Sequence, residues 1–108
     1  MAKTDTIEPA CPMEIGLNLL SGKWRLKIIW NLLKGPVRFN ELQRRLDPIT
    51  TKTLSRELRE LEDHSLIRRT VYPEVPPKVE YSITPLGGSV QPILEALCTW
   101  GRDYQSLQ

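Results

Sequence analysis

Residues 39–81 of the chain read FNELQRRLDPITTKTLSRELRELEDHSLIRRTVYPEVPPKVEY. Apolar residues recur at helical spacing in the first half, which predicts a short helix over residues 39–46 and a longer one over residues 51–64. Asp47-Pro48-Ile49 lies between them as a turn. Thr50 is a good N-cap for the longer helix, because its hydroxyl can accept a hydrogen bond from an otherwise unpaired backbone N–H. The first half therefore predicts two helices joined by a tight turn.

The second half alternates or is rich in β-branched and aromatic residues, as strands are. Residues 66–72 (LIRRTVY) and 79–83 (VEYSI) are predicted to pair as a ribbon. The link between them contains three prolines and is expected to be a stiff loop, since proline cannot pair inside a sheet. Val37-Arg38, extended by the preceding Gly-Pro, is a candidate for a very short strand that pairs with this ribbon. Helix, turn, helix and ribbon in this order predict a winged helix-turn-helix, a mainly α-helical fold with a small β-ribbon.

Further helices flank this unit on both sides. Cys11-Pro12 opens the first helix, because proline is tolerated at the first helical position, and Ser21-Gly22 ends it. The second helix, over residues 23–33, is apolar nearly all round, which is typical of a buried central helix. Thr84-Pro85 opens the last helix, in which Pro92 should introduce a kink or mark the effective start.

The terminal helices carry more large apolar residues than one small core needs. This surplus predicts that the chain dimerises through its N- and C-terminal helices. Cys98 also lies on an apolar helix face and is expected in the core. The residues predicted at the dimer interface are Ile15, Leu19, Leu94, Leu97, Trp100 and Tyr104.

Length and composition narrow the class of protein. A chain of 108 residues that is 40% hydrophobic and 26% charged predicts one globular domain. We expect residues 1–10 to be a flexible tail and residues 11–108 to form the domain. No membrane-spanning run or signal peptide is present, so a cytoplasmic protein is expected. Two cysteines and one histidine do not provide a zinc site, and no catalytic constellation appears. We therefore expect neither a metal, nor another cofactor, nor an enzyme.

Charge is unevenly distributed along residues 38–63. Residues 38–59 carry six basic residues against three acids, whereas Glu60, Glu62 and Asp63 follow in a block. On the longer predicted helix, the cations lie opposite the leucines in the N-terminal and middle turns. A recognition helix enters the major groove by its N-terminal part, so this gradient predicts contact with double-stranded DNA. We expect Glu57 and the later acids of this helix to be solvated.

Ten residues are predicted to contact DNA. They comprise the helix cations, the short hydroxyls near them, two residues where the preceding helix begins and one cation beside the wing tip. They are Arg38, Asn40, Thr50, Thr51, Lys52, Thr53, Ser55, Arg56, Arg59 and Lys78. The alternative role of Thr50 and Asn40 is helix capping, and that of the cations is a solvated surface. Arg68 and Arg69 fit a solvent-facing strand at least as well as a DNA contact.

The chain resembles the HxlR-type transcriptional regulators, a winged-helix branch similar to the MarR family. The resemblance covers residues 11–104, and its strongest part is YPEVPPKVEY at residues 72–81. It implies a homodimer that binds DNA near promoters and, in some members, responds to electrophiles or oxidants through the N-terminal cysteine. Ser65 is a departure, because the family usually has glycine there, and a left-handed backbone costs serine more. The other matching segments are Cys11-Pro12, Gly22-Lys23-Trp24, RFNEL at 38–42, LRELE at 58–62, TPLG at 84–87 and Trp100-Gly101.

Cys11 is the candidate for sensing, since the N-terminus of a helix favours the reactive thiolate. Its alternative role is that of a small capping residue in the dimer interface. Two other functions stay open. A regulator of MarR type could bind a small ligand non-covalently at the dimer interface, and a winged-helix module could bind protein in place of DNA. The basic recognition face argues against the protein-binding module.

Overall fold

The computed structural model describes residues 11–108, so the predicted tail at residues 1–10 lies outside the described residues. The element order confirms the predicted winged helix-turn-helix, with helices outweighing a small sheet. The elements are α1 (Pro12–Leu20), α2 (Arg25–Leu32), β1 (Val37–Arg38), α3 (Phe39–Arg45), α4 (Thr51–Asp63), β2 (Ile67–Tyr72), β3 (Lys78–Ile83), α5 (Pro85–Gly88) and α6 (Gln91–Ser106).

The sheet has three antiparallel strands in the order β1-β3-β2. Val37 lies opposite Tyr81, which confirms the short strand expected before the helix-turn-helix. Strands β2 and β3 pair along their whole length, and the proline-rich loop joins them. Because side chains alternate between the faces of a strand, Ile67 and Ile83 lie on the face that packs against the helices. Tyr72 and Lys78 lie on the outer face.

The core lies where α2, α3 and α4 meet the sheet. Helix α4 contributes its three inward leucines, which are almost completely buried, as their i, i+4, i+7 spacing predicted. Helix α2 contributes Ile28, Ile29 and Leu32. Trp30, however, has an exposed fraction of 45%, so the prediction that α2 is buried nearly all round is wrong on this side. Neighbouring elements cover only one side of α2, and Trp30 projects from the other.

The predicted last helix is divided into α5 and α6. Pro92 lies at the start of α6, which confirms the second of its two expected roles. Leu94 is the buried residue of α6, with an exposed fraction of 6%. The prediction that Cys98 lies in the core is wrong, because its thiol is exposed. Beyond Leu94 the helix extends past the core, so its apolar stripe has no partner within the described subunit.

The corner between α4 and β2 contains a left-handed residue at Ser65. Its φ is 64°, the only positive φ of a non-glycine residue within residues 11–108. The Ser65 N–H donates to the Glu62 carbonyl at 2.9 Å, and the Leu66 N–H donates to the Leu61 carbonyl at 3.0 Å. These bonds form a Schellman-type end to α4, in which glycine is the favoured residue. Ser65 therefore adopts the left-handed backbone, which costs serine about 1 kcal/mol.

Candidate nucleic-acid interface

Helix α4 begins with a well-formed cap. The Thr53 N–H donates to the Thr50 Oγ1 at 3.1 Å, which confirms the predicted N-cap. The two hydroxyls are also in contact, at 3.0 Å. Lys52, Arg56 and Arg59 are exposed on the side opposite the buried leucines. The structure thus presents the predicted basic face to solvent, next to the start of the helix.

Gln43 fixes the turn between α3 and α4. Its Nε2 donates to the Ile49 carbonyl at 3.3 Å and to the Thr51 Oγ1 at 3.0 Å. These bonds join the two helices across the turn, so the Thr51 hydroxyl is already oriented by the protein. Sequence reasoning missed Gln43, because nothing in the spacing of polar residues on α3 shows which one faces the turn.

The start of α3 faces the wing across an open cleft of about 800 Å³. Arg38 ends β1 and is exposed. Asn40 is the second residue of α3, so the structure does not support the alternative that it caps this helix. Both residues line the cleft together with Arg69 and Lys78, while Glu41 and Glu74 supply acidic groups. The fold therefore places residues that lie some 40 positions apart in the sequence around one cleft.

Two arginines at the end of α3 are held by an acid of the same helix. Arg44 donates to the Glu41 carboxylate at 2.5 Å, and Arg45 donates to it at 2.9 Å. The hydrogen bonds from Arg44, and then the one from Arg45, lower the pKa of Glu41 to about 2. Glu41 therefore stays ionised near neutral pH and offsets part of the positive charge of α3.

The outer face of the wing holds Lys78 against an aromatic ring. Its Nζ lies 4.3 Å from the centroid of the Tyr72 ring, a cation–π contact between residues paired in register. The Tyr72 hydroxyl donates to the Glu80 Oε1 at 3.1 Å, and this hydrogen bond raises the pKa of Tyr72. Val75 at the tip is fully exposed. The wing cation is thus placed by the ribbon and does not extend freely from the loop.

Arg68 and Arg69 lie on opposite faces of the ribbon. From the sequence alone, both residues had the same two possible roles. Arg69 lines a cavity of about 390 Å³ between α4 and the ribbon, together with Ser55 and Arg59. Arg68 lies on the outer face. Of the two, Arg69 is therefore the one placed beside α4.

Arg25 forms ion pairs with two acids of α4 that were expected to be solvated. Its Nε donates to the Glu57 Oε1 at 2.8 Å, and its Nη2 pairs with the Glu60 carboxylate. The side chain of Glu57 has an exposed fraction of only 14%. The prediction of a solvated acid is therefore wrong for Glu57. The cause is that the fold places the start of α2 within reach of the middle of α4, so that residues 32 positions apart are in contact.

The six residues predicted at the dimer interface differ in how far their side chains are exposed. Ile15, Leu97, Trp100 and Tyr104 are exposed, and the last two stack with ring centroids 5.7 Å apart. Leu19 is half-buried, whereas Leu94 packs into the core of its own subunit and has little surface left for a partner.

Cys11 takes the N-cap position of α1, but its side chain makes no capping hydrogen bond, and its thiol is exposed. Cys11 therefore stands at the capping position without a side-chain hydrogen bond, and its roles in sensing or in a dimer interface stay predictions.

Within residues 11–108, none of the helices has the length and apolar character needed to cross a membrane. The same part of the chain contains no group of three or more His, Cys, Asp or Glu that could hold a metal ion.

A family model and a curated relative both match this chain to a helix-turn-helix domain. The family model for the HxlR-like helix-turn-helix matches residues 19–108. An HTH-type transcriptional regulator of Methanothermobacter thermautotrophicus, whose role is uncharacterised, is 50% identical over 101 residues, covering 94% of this chain and 77% of the relative.

Two solved structures extend the agreement to the fold. A protein of Porphyromonas gingivalis W83 assigned to the MarR family is 39% identical with a TM-score of 0.84, and the match covers 91% of this chain and 96% of that one. The redox regulator HypR in its oxidized form is 41% identical with a TM-score of 0.81, covering 86% of this chain and 96% of HypR.

Proposed function

The chain belongs to the HxlR-like helix-turn-helix family, and from this membership we propose that it acts as a homodimer on a pseudo-palindromic DNA operator. It is a transcriptional regulator of the HxlR/MarR type with a DNA-binding helix-turn-helix. The observation that carries the proposal is the exposed basic face of α4. Lys52, Arg56 and Arg59 lie on one side of the helix, and the block of acids follows only at its far end.

In the proposed complex the N-terminal half of α4 enters the major groove. Lys52 and Arg56 reach base edges or phosphates there, and the neighbouring hydroxyls of Thr51 and Ser55 contact the backbone. Arg38 and Asn40 contact phosphates at the start of α3, and Lys78 lies along the adjacent minor groove. The prolines of the wing tip limit the conformational entropy that is lost when the wing binds.

The proposed dimer forms through α1 and α6. Exposed aromatic and aliphatic residues on these helices, among them Ile15, Leu97, Trp100 and Tyr104, provide an apolar surface that a second subunit would cover. A two-fold axis there relates the two α4 helices, and each helix then occupies one half-site. We expect the half-sites to lie about one turn of DNA apart.

In vitro selection tests this proposal directly. Wild-type protein is expected to enrich duplexes with an inverted repeat from a randomised library, and to sediment as a dimer both free and bound. A parallel selection from the same library with the Lys52→Ala/Arg56→Ala variant should enrich no motif. Enrichment of a single half-site by a monomer would contradict the dimer, and failure of the wild-type protein to enrich any sequence would contradict the operator.

We also propose that modification of Cys11 regulates binding. The exposed thiol at the start of α1 supports this, as does the similarity to HypR, a redox regulator solved in oxidized and reduced forms. Because α1 belongs to the proposed interface, a change at Cys11 would alter the spacing of the recognition helices.

The test compares wild type, Cys11→Ser and Cys98→Ser for DNA binding before and after treatment with N-ethylmaleimide, an electrophile that adds to one thiol and needs neither a second thiol nor an oxidant. We expect affinity to change at least about fivefold in wild type and Cys98→Ser, in the range of allosteric coupling, and not in Cys11→Ser. Equal responses of Cys11→Ser and wild type would assign any sensing to another group. A loss of the response in Cys98→Ser alone would assign it to the second exposed thiol.

A further inference from the structure

Arg25 connects three helices through one side chain. Its Nη1 donates to the carbonyls of Asn18 at 3.3 Å and Leu19 at 3.1 Å, both in the last turn of α1. The same guanidinium donates to Glu57 and Glu60 of α4. Arg25 itself begins α2. One group therefore fixes the end of α1, the start of α2 and the middle of the recognition helix relative to one another.

This arrangement is more restrictive than a surface ion pair. The side chain of Arg25 has an exposed fraction of 11%, close to that of Glu57. A guanidinium is planar and presents its donors in a fixed fork, so four acceptors on two helices define its orientation. Loss of this group leaves a poorly hydrated carboxylate without its partner. Helix α4 is therefore expected to shift or tilt when Arg25 is removed.

The connection continues to the DNA-binding face. The second oxygen of Glu57, Oε2, accepts a hydrogen bond from Arg56 Nη2 at 3.3 Å. The side chain of Arg56 is more than half exposed on the basic face. A continuous set of polar contacts thus joins the last carbonyls of α1 to a cation proposed to contact DNA.

We propose that Arg25 is a positioning residue for DNA recognition. Through Glu57 it sets the placement of α4 and of Arg56 relative to the end of α1. The inference rests on the proposed function, in which α4 binds the major groove and α1 lies at the dimer interface. It adds a route by which a displacement of α1 reaches the recognition helix without any change in the DNA-contacting residues themselves.

The test uses a duplex recovered by in vitro selection with wild-type protein and a scrambled duplex of equal length. Arg25→Gln is expected to weaken binding to the selected duplex by about tenfold and to change binding to the scrambled duplex by less than about twofold. A positioning residue affects base readout, whereas non-specific binding depends on phosphate charge alone. Arg25→Lys should recover affinity only in part, since an ammonium cannot span both helices.

Two further variants separate position from charge. Arg102→Gln removes the same charge from an exposed site on α6 and should leave the ratio of selected to scrambled affinity unchanged. The double variant Arg25→Gln/Glu57→Gln keeps the net charge of wild type. Its affinity for the selected duplex is expected to fall as much as that of Arg25→Gln. All affinities are measured well below the melting temperature of each variant. If Arg25→Gln does not fold, Glu60→Gln replaces it, because the Glu60 side chain is more exposed. The ratio of selected to scrambled affinity is then expected to fall by less.

The outcomes distinguish this inference from the proposed function. If wild-type protein selects no duplex, the proposed function itself fails. If wild type binds its selected duplex and Arg25→Gln binds it equally well, only the positioning role is overturned. An equal loss on the selected and scrambled duplexes would assign Arg25 a purely structural role and would also overturn the inference.

Discussion

Replacing Lys52 and Arg56 together by alanine is expected to lower the affinity for a selected operator by about a thousandfold. In the proposed homodimer, the change removes two cations from the basic face of α4 in each of two chains, and about 1 kcal/mol for each of these four cations gives a loss of this size. Both side chains are exposed, and neither packs in the core, so the fold should persist. Fluorescence anisotropy with a labelled duplex at several salt concentrations measures the effect. The slope of log affinity against log salt should become less negative by about 0.9 for each phosphate that the variant no longer neutralises.

The matched control is Lys34→Ala/Arg102→Ala. It removes two exposed cations from other parts of the subunit and so changes the net charge equally. We expect it to weaken binding by less than about threefold, because distant exposed charges act only through screened, long-range attraction. Equal effects of the two double variants would show that binding depends on overall charge and not on the face of α4.

Gly87→Ala is expected to destabilise the subunit by about 3 kcal/mol or more, through overpacking at a site that cannot relax. A Cβ at Gly87 would lie 2.0 Å from the carbonyl oxygen of Leu66 and 2.7 Å from the Cδ1 of Ile83. The Leu66 carbonyl is held in place, since it accepts hydrogen bonds from both the backbone N–H and the hydroxyl of Thr84. Chemical denaturation at a fixed protein concentration measures the loss.

Gly88→Ala provides the control at the next position, where a Cβ would meet nothing within 4 Å. We expect it to be neutral or slightly stabilising, because alanine lowers the entropy of the unfolded chain. Adding Ile83→Ala to Gly87→Ala should restore little stability, since the backbone oxygen would still clash. A Gly87→Ala protein as stable as Gly88→Ala would show that the α5 turn can move away from Leu66 and Ile83.

Features set by neighbouring residues could be predicted from the sequence. The Thr50 cap and the wing with its proline-rich tip both depend on local backbone chemistry. Burial of Leu54, Leu58 and Leu61 followed from helical periodicity alone. For the same reason the exposure of Lys52, Arg56 and Arg59 opposite these leucines was predictable.

Features set by the packing of distant segments could not be predicted. Arg25 pairs with Glu57 because the fold brings residues 32 positions apart into contact, which no spacing in the sequence encodes. The exposure of Trp30 and Cys98 likewise depends on which side of a helix its neighbours cover, and apolar character alone does not report this. Which face of the ribbon Arg68 and Arg69 each lie on depends on the strand register.

The order of charges along α4 has a cost for the free protein. Aligned peptide dipoles make the start of a helix partly positive and its end partly negative, so acids stabilise the first turn and bases the last. Helix α4 has no acid in its first turn and no base in its last, while Lys52 stands near its start and Asp63 ends it. Its macrodipole is therefore opposed at both ends, and burial of the leucine side must offset this. In the proposed complex, phosphates near Lys52 would supply the missing negative charge, so bound DNA would favour the macrodipole of α4 that its own side chains oppose.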